Sequence, residues 1–360
     1  MSKSLCNLIT LFLIFIAGFG ATQSTKVECI AGCGEGPNPG PAMLAKLIEP
    51  FGIAFDKEGN GYICEYKGQK LSKVTRDGFI TTFAGSGTQG YRGDGAPARD
   101  AVFNDPHGLV IAKDQRLYVA DTLNHCIRQI DLKSGLISTI AGTGEAGFSG
   151  DGAVATKARF NGVYGIDINR SGDRIYVADL VNRRIRMVNL KTHIISTIAG
   201  NGERGIPTDG AEAAQSPLAD PRAVAVDSKG NVYVLERGGN ALRVVDKEGK
   251  IRTVISPAAQ KTPPRSGTTE RDLNGPKHLC IDHQDSVIIA DAENHLIRRY
   301  RPKDGRTVII AGTGEKGNLL VANDPLKTQL NRPHGVFVDR SGVLYVTDSY
   351  NHRVLKITGW

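Results

Sequence analysis

No segment beyond residue 24 shows a helical period, and none is apolar enough to cross a bilayer. The first lack excludes a chain that alternates helices with strands. The second excludes a membrane-crossing helix there. Charge of a single sign is missing too: 45 basic residues face 37 acidic ones, and the formal net charge of +8 falls to +7 once Lys3 is removed with a leader. That excess favours acidic partners. No basic patch interleaved with aromatics stands out, however, and nucleic acid is not an expected ligand. Cysteine is sparse, with Cys29, Cys33, Cys64, Cys126 and Cys280 beyond the leader. Their odd number leaves at least one thiol unpaired within the chain. Cys64 and Cys280 fall where other repeats hold Ala, Val or Ile, which marks them as small buried hydrophobes. Cys29 and Cys33 flank Ile-Ala-Gly and could bridge in an oxidising compartment, whereas one CxxxC is weak evidence for a metal.

Residues 1–24 read as a secretory leader: Lys3, then an apolar run from Leu8 to Phe19, then small and polar residues. Cleavage is expected between Gly20 and Ser24, with an uncleaved anchor as the alternative. The expectation is a secreted or periplasmic (extracytoplasmic) monomer with no stable membrane span after cleavage. Residues 25–360 would then form a single domain.

What is present is a repeat. Pro50-Phe-Gly-Ile-Ala-Phe-Asp recurs around Gly108, Gly165, Ala223, His278 and Gly335, at steps of 56, 57, 58, 55 and 57 residues. An acid follows each at a near-constant offset: Glu65, Asp121, Asp179, Glu236, Asp291 and Asp348. The second copy gives four short strands over 108–112, 116–120, 126–132 and 136–141, parted by Gly/Asp/Asn turns. Such a meander exposes two faces and two edges, so it needs neighbours. The pattern predicts an all-β, six-bladed β-propeller of four-stranded antiparallel blades. The sixth copy ends at Trp360 after its third strand, while residues 27–35 resemble the fourth strand of the second copy. Residues 26–32 are therefore expected to complete the last blade.

Tyr118-Val-Ala-Asp-Thr-Leu-Asn-His-Cys-Ile-Arg128, with its counterparts around Asn294-His295 and Asn351-His352, resembles the NHL repeat. The resemblance covers the mature chain and implies a six-bladed propeller, but no single function, since such propellers include binding modules and enzymes. Blade one departs most, with Glu65-Tyr-Lys-Gly68, and blade four reads Glu236-Arg-Gly-Gly-Asn240.

The connections after strands two and four are long and belong to the upper face, so a site is expected there. Asp94, Asp151 and Asp209 recur in Gly-Asp-Gly loops, where turn chemistry explains them better than calcium. The six repeated acids and the Asn-His pairs likewise read as structural, each acid accepting backbone N–H groups. Asymmetry appears one residue before the aligned glycine, at Phe51, His107, Tyr164, Arg222, Lys277 and His334. These side chains could ring the channel, or could be solvated loop residues beside proline. A ring without carboxylates is a poor calcium cradle, unlike the channels of gluconolactonase and paraoxonase propellers. Arg222 and Lys277 favour an anionic small molecule, glycan or protein ligand. The leading expectation is an interaction module. The alternative resembles the peptidyl-hydroxyglycine amidating lyase: a metal-dependent lyase or hydrolase with zinc or another divalent metal on His107 and His334. There His278 would replace a missing third ligand, and Tyr164 and Arg222 would be catalytic.

Overall fold

The computed structural model describes residues 24–257 and 272–360. All of the expected leader but Ser24 lies outside them, as does all but the last residue of 260–272, whose paired prolines and polar residues read as an insertion in blade four. Six antiparallel sheets form the molecule. Blade two is built from Pro106–Ile111, Arg116–Asp121, Cys126–Asp131 and Ile137–Ala141, within a residue or two of the sequence reading. The other blades repeat it, and blade one carries an extra two-residue edge strand, Gly40–Pro41. The only described helices are short 3-10 turns.

The ring closes as the repeat pattern requires. Lys26–Ala31 pairs antiparallel with Arg353–Thr358, from Lys26 opposite Thr358 to Ala31 opposite Val354. Val27 is buried against Leu355 and Ile357. The core lies between neighbouring blades rather than at the axis: Tyr118, Ala120 and Ile127 of blade two pack with Val163, Ile175 and Val177 of blade three.

Each second strand ends on one of the repeated acids, all six fully buried. Each accepts a backbone amide from the preceding inter-blade connection, as Asp121 does from Asn104 at 2.8 Å and Glu236 from Ala219 at 2.6 Å. Five also hold a buried arginine from the third strand: Arg128, Arg186, Arg243, Arg298 and Arg353. Blade one uses Ser72 and Lys70 instead. Asp94 and Asp151 of the Gly-Asp-Gly loops reach the same arginines, Arg128 at 2.9 Å and Arg186 at 2.7 Å. These loops are thus tied down by ion pairs. The histidines of the Asn-His pairs adopt left-handed backbone, and His125, His295 and His352 each accept an amide of the next blade at Nδ1. Cys29 and Cys33 are joined, while Cys64 and Cys126 are free and buried. Cys280 is free and partly exposed in the channel wall rather than fully buried.

Candidate functional site

The innermost strands approach so closely that three of the six aligned positions admit no side chain. A Cβ on Gly108 would sit 2.9 Å from the Tyr164 carbonyl, one on Gly165 2.7 Å from Ala223 Cα, and one on Gly335 2.4 Å from the Phe51 carbonyl. Backbone contact at this level pulls the preceding residues together at the upper end of the channel. All six expected ring residues meet there. Phe51 stacks on His334 at 4.0 Å between centroids and meets His107 at 5.1 Å; His107 meets Tyr164 edge-on at 4.6 Å. The Arg222 guanidinium lies 4.0 Å above the Tyr164 ring. They are buried or nearly so, and together with Lys277 and His278 they leave a space of only about 20 Å³. The ring is a packed plug, not a set of solvated loop residues.

Sequence reasoning missed its supporting groups. Tyr66 stacks on Phe51 at 4.4 Å and carries Lys67 over its other side. Glu293 reaches Lys277 at 3.5 Å and is also held by Arg332. The signal for Tyr66 was the departure of blade one from the Asp-x-x-Asn turn. Glu293 gave none, since the second residue after the turn acid is exposed in the other five blades.

Arg222 dominates the electrostatics. It is 6 % exposed, and its Nε is buried without a hydrogen-bond partner among the described residues. Asp220, whose charge it feels, is engaged by Arg237 at 2.8 Å. Burial lowers Arg222 to about 10. Burial and then the charge of Arg222 lower Lys277 to about 8 and His278 to about 4, and hold His107 and His334 well below the usual imidazole range. A cation over an aromatic face recovers about 0.5–2 kcal/mol, whereas leaving a buried charge unpaired costs several. No ion pair to Arg222 forms among the described residues.

The fit to zinc is poorer. His107 and His334 direct Nδ1 at the carbonyls of Asp105 and Arg332, at 2.9 and 2.8 Å, which leaves each Nε2 with a lone pair. Phe51 lies between the two rings. His278, the expected third ligand, accepts the Val336 amide at Nδ1 and also borders the lower channel. No group of three such ligands forms among the described residues.

Comparison with known proteins extends the picture. The Teneurin NHL domain profile matches residues 190–359 and the NHL repeat profile residues 103–130. NHL repeat-containing protein 2 of Gallus gallus is 25% identical over 342 residues, covering 86% of this chain and 46% of that protein. Protein SUPPRESSOR OF QUENCHING 1, chloroplastic, of Arabidopsis thaliana is 28% identical over 292 residues, 77% of this chain and 27% of that one. The chain therefore spans less than half the length of these relatives. Among solved structures, a protein of unknown function from Bacteroides thetaiotaomicron superposes with a TM-score of 0.67 at 17% identity, covering 93% of this chain and 76% of the other. Virginiamycin B lyase from Staphylococcus aureus gives 0.53 at 16%, covering 93% and 99%. Both likenesses concern the fold.

Proposed function

Because the chain belongs to the NHL-repeat propellers, we propose that it is an interaction module that receives an anionic group of its ligand at the upper mouth of the channel. The observation that carries this reading is Arg222, buried, stacked on Tyr164, and unpaired at Nε among the described residues. Lys277 adds a second cation, and the small free volume suits a carboxylate or sulfate rather than a whole ligand. The rest of an anionic small molecule, glycan or protein ligand would lie on the rim. The Cys29–Cys33 bond supports an extracytoplasmic setting, which N-terminal mapping of the natively produced protein tests directly.

The binding test uses N-acetylglutamate and sulfate as probes, read through the ring resonances of His107 and His334. Both should shift at millimolar probe. Arg222→Ala should weaken the response by about 2–3 kcal/mol, the worth of a charge-assisted contact. No response from the intact protein would sink the reading. One observation favours a second reading: both imidazoles present a free Nε2. Stoichiometric zinc lost in a His107→Ala/His334→Ala variant would move the assignment to a metal-dependent lyase or hydrolase, with Tyr164 and Arg222 at the reacting centre.

A further inference from the structure

Below the plug the channel widens into a separate chamber of about 700 Å³ that opens among the lower hairpins. Its wall is mostly aliphatic, with Ile53, Leu109, Ile166, Leu279 and Val336. Two places beyond the aligned glycine the blades carry Ala54, Val110, Asp167, Ala225, Cys280 and Phe337, so a single blade sets a carboxyl into this wall. Asp167 accepts the Val226 amide of the next blade at 2.8 Å and meets no cation among the described residues. Capping an amide does not require an acid here, because four blades place an apolar residue at the same point. Burial raises Asp167 to about 7. On the far side of blade four, where Ala223 and Ala225 leave room, stand His278 and Cys280; burial and then the charge of Asp167 push the Cys280 thiol up. The acids nearer the rim are occupied: Asp227 by Asn231, Asp285 by Ser228, and Asp282 by Arg299 at 2.7 Å. Lys113, Arg170 and Arg340 are exposed at the mouth.

We propose that this lower chamber is a second ligand site, for a small molecule with an apolar body and a protonated amine received by Asp167. An ionised carboxyl in an aliphatic wall is costly, and an ammonium group offsets that cost through a charge-assisted hydrogen bond. The apolar body gains from burial against the wall, and the volume lies within the range of small-molecule sites. Its charge preference is opposite to that of the upper mouth, and the plug separates the two.

The test measures benzylamine and its neutral counterpart benzyl alcohol by calorimetry on the full chain. Benzylamine should bind at least about tenfold tighter, the worth of one charge-assisted contact. Asp167→Asn should erase that preference, and Val110→Phe, a larger side chain on the chamber wall, should weaken both probes. Arg222→Ala should leave benzylamine binding unchanged, so failure of the upper site and failure of this one are distinguishable. Equal affinity for the two probes, no binding of either, or a preference that survives Asp167→Asn overturns the proposal. Should Asp167→Asn not fold, benzylamine binding undiminished in Val110→Phe does so instead.

Discussion

Lys277 is the ring cation whose charge is most readily lost. Burial and the neighbouring Arg222 bring it to about 8, while Glu293 at 3.5 Å restores only part of the loss. Its charged form is the one present below that value, and only the charged form attracts an anion. Affinity for N-acetylglutamate should therefore fall as pH rises across roughly pH 7 to 9, and Lys277→Arg should carry the affinity past that window. Calorimetry at several pH values checks this; a flat profile in the unaltered protein would exclude Lys277 from the site. Which residues make up the ring was legible from sequence, because six equivalent positions carrying five different residue types stand out against a regular repeat. That they pack shut was not. The spacing of side chains at the axis follows from backbone approach at Gly108, Gly165 and Gly335, which no single repeat displays.

The strand ends show a different balance of what could be read. The repeated acids were recognisable as amide acceptors, but their arginine partners were not. Arg128, Arg186, Arg243 and Arg298 lie in alternating third strands, at positions that look solvent-facing until the upper loops fold over them. The consequence is testable at Arg243, whose Nε and Nη2 reach Glu236 at 2.8 and 2.7 Å in a fully enclosed setting. Removing one member strands the other, so Arg243→Met should cost about 3–5 kcal/mol in urea unfolding. Adding Glu236→Gln should recover much of that loss, since the amide oxygen can still accept from Ala219 and no charge remains buried. A single substitution costing under about 1 kcal/mol would mean that the pair is a bystander.

At the scale of the whole ring, stability depends on a seam that sequence comparison of its two ends made visible. Every other blade draws its four core strands from one continuous stretch, whereas blade six takes its outer strand from Lys26–Ala31 and the other three from Gly335–Thr358. That pairing buries Val27 and covers the edge of Arg353–Thr358, while Thr25 bonds the Gly359 carbonyl at 2.8 Å. Deleting residues 24–31 would leave an open edge and two unmatched blade faces, and exposed edges recruit other chains. The shortened protein should melt well below the intact one and self-associate as concentration rises, as seen by calorimetry and size-exclusion chromatography. Val27→Asp, which keeps the chain length but sets a carboxylate into the seam, should reproduce the loss of stability. Should both variants melt like the parent as monomers, the ring would be held by its inter-blade cores alone, and the clasp would contribute nothing.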